Sequence, residues 1–414
     1  MRTAAHSLLC ILLSTGCVGE PEDRSAITGS PVIPIARDSA GITILEHSAN
    51  ARAAAPQLTV DSVPLAVIGA REDGSDEVTN VRGVVLLSDD AIAFGNDAQS
   101  QLLIYEANGS LRKRVGRRGG GPEDFGSIDA ISATRDTLFV PDFGNDRLAL
   151  YDASLNRIGT VRGIRACGSI SPVGRLSGGA IIADEGSVLK PAPLTNTIAR
   201  PPVALVSLGD GRCDTLRFLR GREIRVLEAR QRGRAFLQTR PILFGRAATT
   251  AVWDSLIAVG TADAYQIDLL DEHGMLRMSI RSDVGRIEMP AGARDSVIAR
   301  RRAQAGGGGE RAIDPIEQER LLREATFVAD SVALYDRFLV SNNGLLWVVE
   351  GWAPGMPERS ATAFRSDGGI AAHLRIPAAL MPMAFGSDRV LVRTEDPETG
   401  IVTFRSLRLI PRSP

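Results

Sequence analysis

Short apolar runs separated by polar turns recur along most of the chain. Residues 91–96 and 102–106 read as two strands joined by a polar turn, and residues 111–115 read as a third strand. The pattern returns 46 residues later, where the matched positions are Phe94 with Val140, Asn96 with Asp142, and Tyr105 with Tyr151. Runs of this kind, bounded by Gly, Asn and Asp, predict strands and hairpins rather than helices.

Four further hairpins continue this pattern towards the C-terminus. They pair residues 180–184 with 203–208, 256–259 with 266–271, 345–350 with 361–364, and 390–393 with 401–404. A repeat of this length, made of several short strands, is typical of a propeller blade. The six hairpins therefore predict an all-β fold, a six-bladed β-propeller of four-stranded antiparallel blades over residues 42–414, with seven blades as the alternative.

Two strands near the start of this region belong to none of the hairpins. They are residues 42–45 and 58–60. In a closed propeller such a stretch can complete the last blade, so that no sheet edge stays unpaired. We therefore expect both strands to join the C-terminal blade.

One segment, residues 290–330, departs from the strand pattern. Residues 295–304 predict a helix that ends before a run of glycines. Asp314, Pro315 and Glu317 predict a second helix, because Asp can cap its first turn, Pro fits the first helical position and Glu follows three residues on. The segment is predicted to be a small helical insertion between the fourth and fifth blades.

Residues 1–17 have the pattern of a secretory signal peptide. Arg2 supplies a positive charge, a short apolar run follows, and small residues lead to Cys17. Residues 13–17 resemble a bacterial lipobox, in which the cysteine becomes the lipidated first residue. This predicts lipidation at Cys17 and a periplasmic or outer-membrane lipoprotein, with simple secretion as the alternative. Residues 18–41 are polar and contain Pro and Gly, which predicts a tether.

Charge, histidines and cysteines narrow the function classes. The formal net charge of −1 gives no electrostatic basis for binding nucleic acid. The four histidines do not cluster, so an ordinary zinc site is not expected. Once the signal peptide is removed and Cys17 carries lipid, Cys167 and Cys213 remain. In an oxidising compartment this pair predicts one disulfide, with two buried thiols as the alternative.

A glycine-rich link gives the chain a family resemblance. Residues 116–125, GRRGGGPEDF, resemble the G-x-x-G-x-GP-x-x-F link of NHL-like six-bladed β-propeller proteins. Residues 137–142 and 145–148 follow it, like that family's strand-Asp-x-x-Asn-x-Arg signature. The chain looks like the exported bacterial branch, the TolB-like propeller lipoproteins. The glycines allow tight backbone turns, and Phe125 can fill the gap between adjacent sheets. Because this fold hosts both binding proteins and enzymes, the resemblance implies architecture and not activity.

The loops between the second and third strands of propeller blades gather on one face around the central channel. Side chains at these loops form the predicted ligand-binding face: Asn96, Asp142, Asp146, Arg147, Asp184, Glu350 and Trp352, with Asp97, Glu185 and Asp396 close by. Such an acidic funnel can coordinate Ca²⁺ or hold a basic or hydroxylated ligand. In the alternative interpretation, each Asp or Asn caps its own turn through backbone amides.

Missing catalytic motifs favour a binding function. The sequence has no G-x-S-x-G motif, and the S-x-x-K pattern at residues 187–190 lacks its KTG and SDN partners. We predict a monomeric, non-catalytic scaffold without a cofactor, Ca²⁺ being the exception considered. It presents its loop face to a protein, peptide or glycan at the cell envelope and meets the membrane only through its lipid anchor. The alternative, taken from enzymes of the resembled fold, is a metal-dependent lactonase or hydrolase with Asn96, Asp142, Asp184 and Glu350 as conceivable ligands.

Overall fold

The structure, a computed structural model, describes residues 27, 29–69, 78, 81–185, 197–209, 211–231, 234–305, 316, 320, 323–396 and 400–413. The signal peptide with Cys17, the 187–190 pattern, and Asp314, Pro315 and Glu317 lie outside the described residues. Within them the chain is mostly β-strand. None of the described helices is long and apolar enough to cross a membrane.

The N-terminal region forms strands earlier than the sequence pattern predicts. Its elements are β1 (Ile35–Ser39), β2 (Ile42–His47), the short helix α1 (Ala51–Ala54) and β3 (Gln57–Ile68). β1 and β2 form a hairpin whose turn residues, Ala40 and Gly41, have positive φ angles of 55° and 78°. Two positive φ angles match the twist of an antiparallel pair. The segment predicted as a tether therefore includes a paired strand.

Three four-stranded antiparallel sheets follow. The first contains β4 (Val81–Leu86), β5 (Ile92–Asn96), β6 (Gln101–Tyr105) and β7 (Leu111–Val115). The second contains β8 (Ser132–Thr134), β9 (Thr137–Asp142), β10 (Arg147–Tyr151) and β11 (Arg157–Arg162). The third contains β12 (Ile170–Arg175), β13 (Ile181–Glu185), β15 (Pro202–Gly209) and β16 (Arg212–Arg220), with the short β14 (Ile198–Ala199) before β15. The hairpins predicted in this half of the chain are confirmed.

The second half adds the remaining strands and one longer helix. Before the helix lie β17 (Ile224–Gln231), β18 (Arg234–Leu243), β19 (Thr249–Trp253), β20 (Leu256–Gly260), β21 (Gln266–Leu270), β22 (Leu276–Ser282) and β23 (Ile287–Glu288). Helix α2 (Ala293–Ala305) confirms the helix predicted at 295–304. After it come β24 (Phe327–Val328), β25 (Ser331–Val332), β26 (Tyr335–Val340), β27 (Leu346–Glu350), β28 (Glu358–Phe364), β29 (Ile370–Pro377), β30 (Met381–Phe385), β31 (Arg389–Glu395) and β32 (Val402–Pro411).

Two larger sheets incorporate the N-terminal strands. One has the order β1-β2-β22-β21-β20-β19, and the other has the order β26-β27-β28-β29-β3-β32-β31-β30. The antiparallel pairing of β3 with β32 confirms the expectation for residues 58–60. The expectation for residues 42–45 is wrong, because β2 pairs in parallel with β22 instead. In both places an N-terminal strand covers an outer sheet edge that would otherwise be exposed.

A separate sheet was not indicated by the sequence pattern. β17 and β18 form a hairpin that β14 and β24 extend to four strands. The β17 sequence, IRVLEARQ, places charged residues irregularly among apolar ones. Because it lacks a clear alternation of period two, the pattern that marks the other strands is missing here.

The innermost strands of the sheets surround a channel. They contact one another in a closed series, in which β4 meets β8, then β12, β19, β26, β30 and β4 again. Each of these strands is the end strand of its sheet order, so one backbone edge of each has no strand partner. They line a cavity of about 290 Å³. Because β26 and β30 touch, the eight-stranded sheet nearly closes on itself. The arrangement is propeller-like.

Large side chains fill the spaces between neighbouring sheets. Phe125 of the 116–125 link is fully buried, and its ring lies 6.2 Å from that of Tyr151. Gly116, with a φ of 95°, approaches so closely that a Cβ there would lie 2.5 Å from the Phe125 ring. This geometry agrees with the role expected of the glycines and of Phe125 in the link.

A disulfide joins two neighbouring parts of the chain. Cys167, in a short 3₁₀ turn over Ile164–Cys167, is bonded to Cys213 of β16, and their Cα atoms are 5.7 Å apart. Both cysteines pack with buried residues between the second and third sheets, including Phe139. The bond therefore lies inside an apolar interface rather than on a loop tip.

Candidate functional site

A cavity of about 820 Å³, which we call the channel mouth, adjoins the channel. Ser171 and Met383 line both spaces, so the mouth and the channel adjoin. The charged residues of the mouth are Arg82, Asp129 and Arg393, and its largest apolar residues are Phe143, Met383 and Phe404. The cavity thus combines apolar walls with a few charges of both signs, as ligand pockets commonly do.

Asp129 is a half-buried acid in the channel mouth. Burial and repulsion from Asp97 raise the pKa of Asp129, and attraction to Arg82 only partly offsets this. Arg82 Nε lies 3.7 Å from Asp97 Oδ2, while Asp97 Oδ1 accepts a hydrogen bond from the backbone N–H of Ile128 at 3.0 Å. No ion pair to the Asp129 carboxylate is formed within the described part of the chain, so this carboxylate can take a donor from a ligand.

Another charged residue of the mouth, Arg393, belongs to an ion-pair cluster. Arg393 lies 2.9 Å from the Glu395 carboxylate, and Arg300 of α2 lies 2.5 Å from the same group. Burial would raise the pKa of Glu395, but the hydrogen bonds and charges of both arginines lower it. Two guanidinium groups share one carboxylate here. This ion pair therefore joins helix α2 to strand β31 beside the mouth.

Asp184 lies deeper, in the wall of the channel. Its Oδ2 accepts a hydrogen bond from Thr250 Oγ1 at 2.6 Å. Its Oδ1 is buried and has no hydrogen-bond partner among the described residues. Burial raises the pKa of Asp184 to about 6, and the bond from Thr250 opposes this only in part. Of the residues predicted to bind a ligand, Asp184 is the one that lines the channel.

Asp142 and Arg147 hold the glycine-rich link in place. The fully buried Asp142 carboxylate lies 3.1 Å from Arg147 Nε. It also accepts hydrogen bonds from the backbone N–H groups of Gly126 and Ser127, at 2.9 and 3.1 Å. Arg147 donates to the backbone carbonyl oxygens of Gly121 and Asp124, both residues of the link. The two side chains therefore serve the fold, as in the alternative interpretation of the sequence.

Glu350 lies at the centre of a buried polar cluster. Its carboxylate accepts hydrogen bonds from Arg52 at 2.5 Å, Ser360 at 2.6 Å and Thr362 at 2.8 Å. Burial would raise the pKa of Glu350, but the charges of Arg52 and His373 together with these hydrogen bonds lower it. Because Arg52 belongs to α1, the cluster ties the N-terminal segment to the β27–β28 hairpin.

Trp352 is covered by a residue of the following strand, β28. The Arg359 guanidinium stacks 3.9 Å from the centre of the indole, and the indole N–H donates to the carbonyl of Met356 at 3.2 Å. Burial lowers the pKa of Arg359 to about 10. The ring predicted to anchor a ligand is thus half-buried against its neighbours.

The remaining residues of the predicted ligand-binding face lie in different environments. Asn96 is fully buried, and its side-chain amide has no hydrogen-bond partner in the described part of the chain. Asp146 accepts a hydrogen bond from the backbone N–H of Arg165 at 2.7 Å. The side chain of Glu185 lies outside the described residues. The backbone carbonyl of Asp396 accepts a hydrogen bond from the backbone N–H of Gly400.

The four conceivable metal ligands are engaged separately. Asp142 and Glu350 each form a buried ion pair with an arginine. Asp184 lines the channel, and Asn96 is enclosed in the first sheet. Over the described ranges, no group of three or more His, Cys, Asp or Glu side chains could hold a metal ion. These four residues therefore supply no common ligand set.

Sequence reasoning missed the charged residues of the mouth. Arg82 lies at the start of β4 and Asp129 lies just before β8, whereas Arg393 lies near the end of β31. The predicted ligand-binding face lies instead at the loops after the second strand of each blade. The signal that could have found Arg82 and Asp129 is their place beside first strands, since these strands border a propeller's channel.

The fold and site define a propeller-like β protein with a channel and an adjoining cavity. No protein-family model and no curated protein matches the sequence. Similar solved structures include a DUF4221-family member from Bacteroides vulgatus, at 10% identity over 86% of this chain and 98% of that chain, with a TM-score of 0.47. A candidate exported protein from Bacteroides fragilis has 10% identity over 89% and 100%, with a TM-score of 0.43. A gluconolactonase from Xanthomonas campestris has 13% identity over 85% and 97%, with a TM-score of 0.37. At these values no activity or ligand is carried over to this chain.

Proposed function

We propose that this chain is an exported, lipid-anchored, six-bladed β-propeller of the NHL-like and TolB-like type that binds a short peptide, without catalysis, in the channel mouth. The observation that carries the proposal is the mouth itself, a cavity of about 820 Å³ that adjoins a channel between the innermost strands. This volume lies within the usual range for ligand pockets.

The closed series of innermost strands supports the blade number. β4, β8, β12, β19, β26 and β30 each begin a run of antiparallel strands, and each contacts the next around the channel. The glycine-rich link and its partners Asp142 and Arg147 support the NHL-like type, because the link packs as that resemblance implies.

The side chains of the mouth support a peptide as the ligand. Arg393 and Arg82 can each donate to a carboxylate, and charge-assisted bonds of this kind are the stronger ones. Asp129 can accept from an ammonium group or a peptide N–H. Phe143 and Phe404 offer apolar surface for a side chain between the two charged ends. A short peptide with free termini carries all three features.

A lipid anchor is supported by the lipobox-like end of the signal segment. Metabolic labelling with a radioactive fatty acid in a bacterial host tests this part. We expect the full chain to incorporate label and the Cys17→Ala variant to incorporate none. Equal labelling of both chains would contradict lipidation at Cys17, and absence of label in both would favour simple secretion.

Peptide binding is tested by thermal unfolding and calorimetry with Ala-Phe-Ala as the probe. A ligand at about 100 times its Kd adds about 2.7 kcal/mol to stability. We expect Ala-Phe-Ala to raise the unfolding temperature and its acetylated, amidated form to raise it less. Arg82→Ser and Asp129→Asn should weaken the response, whereas Arg212→Ser, at a position 77% exposed on an outer strand, should not.

The same assay separates this proposal from the metal-dependent alternative. Ca²⁺, Mg²⁺ and Mn²⁺ are added singly and then removed with EDTA. A cation-specific rise in unfolding temperature that EDTA reverses would support the lactonase or hydrolase and call for ester and lactone assays. A folded protein that responds to neither peptide form would overturn peptide binding at the mouth.

A further inference from the structure

The channel contains a carboxylate that no cation of the described chain neutralises. Asp184 Oδ2 is bonded to the Thr250 hydroxyl, and Asp184 Oδ1 is buried without a hydrogen-bond partner among the described residues. Burial and the Thr250 bond are the influences on its pKa, and no described Arg, Lys or His contributes. A buried carboxylate in this condition is costly unless a positive group or several donors approach it.

The carboxylate lies where two sheets meet, and side chains with hydroxyl groups line the same channel. In the third sheet Asp184 of β13 stands directly opposite Ser171 of β12, while Thr250 belongs to β19 of the next sheet. Ser132 also lines the channel, and its hydroxyl is buried without a described partner. The inner edges of the surrounding strands add backbone carbonyl groups, because those edges have no strand partner.

The rest of the channel wall is apolar and the space is narrow. Leu86, Val252 and Phe338 are among its lining residues, and its volume is about 290 Å³. A ligand for this space needs a small cationic end with several N–H donors and a thin apolar stem. A primary ammonium group meets this need, because it carries three donors and no acceptor.

We propose that the channel binds a primary ammonium group on an alkyl stem, such as a lysine side chain or a short alkylamine, with Asp184 as its counter-ion and Ser132 as a hydrogen-bond acceptor. This site is separate from the peptide site at the mouth and does not depend on it. The proposal also accounts for a buried acid that otherwise weakens the fold at neutral pH.

The pH dependence of the site has a definite direction. The pKa of Asp184 in the folded chain is raised to about 6, above its ordinary value of 3.8. Its ionised form therefore predominates only above pH 6, and the ionised form is the one that binds a cation. Apparent affinity for an ammonium group should fall about tenfold between pH 7.5 and pH 5, since about a tenth of the carboxyl groups remain ionised at one pH unit below the pKa.

Isothermal calorimetry of the full chain with n-butylammonium chloride tests the proposal. n-Butanol has the stem without the charge, and tetramethylammonium has the charge without N–H donors. All titrations use the same NaCl concentration. We expect butylammonium to bind at pH 7.5, to bind about tenfold more weakly at pH 5, and to exceed both control compounds by at least tenfold.

Three variants locate the site. Asp184→Asn should lower butylammonium affinity at least tenfold, and Ser132→Ala should lower it by a smaller factor. Asp263→Asn is the matched control, because Asp263 is an acid beside another cavity, where it pairs with Arg200 at 2.6 Å. Circular dichroism establishes that each variant is folded, and Asp184→Asn should unfold at a higher temperature than the wild type at pH 8.

The outcomes separate this proposal from peptide binding at the mouth. Asp129→Asn should leave butylammonium affinity unchanged, so loss of one response without the other identifies which site is wrong. Absence of butylammonium binding by the folded wild type would overturn the ammonium site. Equal binding by Asp184→Asn, or equal binding of tetramethylammonium, would overturn it as well.

Discussion

Replacing Asp142 by alanine should destabilise the fold far more than its single ion pair suggests. The carboxylate is fully buried, lies 3.1 Å from Arg147 Nε and accepts backbone hydrogen bonds from Gly126 and Ser127. Asp142→Ala leaves the Arg147 guanidinium, itself only 6% exposed, without its counter-charge. Breaking a buried ion pair from one side typically costs about 3 to 5 kcal/mol.

Thermal and urea unfolding of the full chain measure this cost. The entropy of unfolding grows in proportion to the number of residues. For a domain of this length, a decrease of about 4 kcal/mol in the free energy of unfolding therefore lowers the unfolding temperature by about 5 °C. Arg117→Ala is the control in the same link. Arg117 pairs with Asp124 at 3.0 Å, but its side chain is 83% exposed, so its removal should cost under about 1 kcal/mol.

A double-mutant cycle isolates the pair from its surroundings. If Arg147 is costly only because its partner is gone, Asp142→Ala with Arg147→Ala should be less destabilised than the sum of the two single variants. A cost for Asp142→Ala no greater than that for Arg117→Ala would refute the reasoning. Peptide affinity lost at unchanged stability would instead make Asp142 a ligand residue.

Three further predictions concern other parts of the fold. Glu350→Gln should unfold more easily than the wild type at pH 7, and the difference in stability should shrink below about pH 4.5. A carboxylate whose pKa is lowered in the folded state stabilises the fold at pH values above its ordinary pKa, and it loses this effect as it is protonated. A difference in stability that does not change with pH would contradict this. Cys167 and Cys213 are 46 residues apart, and closing a loop of this length with a disulfide adds about 4 kcal/mol to the free energy of unfolding. Thiol labelling without a reducing agent should therefore find no free thiol at either position, and reduction of the bond should lower the unfolding temperature. Gly116→Ala should lower the free energy of unfolding by at least about 2 kcal/mol, because it adds a Cβ where φ is positive and the Phe125 ring is in contact. At Gly120 the atom nearest to an added Cβ would be 3.6 Å away, so Gly120→Ala should change stability by less than about 0.5 kcal/mol. Equal costs for the two variants would refute the steric argument.

The hairpins could be predicted from the sequence because they are local. In residues 91–96 and 102–106, both strands and their turn lie within a short stretch, so period-two runs and turn residues suffice to locate them. The pairing of β2 with β22 could not be found in this way, because 235 residues separate the paired positions, such as Thr43 and Met278, and either strand could join several exposed edges. The same holds for β17, whose charged residues hide its strand character.

The candidate site was only partly accessible to sequence reasoning. Asp142 and Asp184 each follow an apolar strand and look alike in the sequence. In the fold, Asp142 points at backbone amides and an arginine, whereas Asp184 reaches the channel. Whether such a carboxylate is enclosed by the fold or reaches the channel depends on which neighbouring sheet supplies hydrogen-bond donors to it. The charges of the mouth, Arg82 and Asp129, depend equally on contacts between sheets that a single sequence does not display.

The pairing of β3 with β32 has a consequence for how the protein folds. These strands, at residues 57–68 and 402–411, lie near opposite ends of the chain. Their contact needs a very long loop to close, and such distant pairings slow folding. Until β32 has been synthesised, β3 exposes an open strand edge, which is a hazard for aggregation. We therefore expect folding to finish only after the whole chain is available, with the β3–β32 junction among the last parts to form.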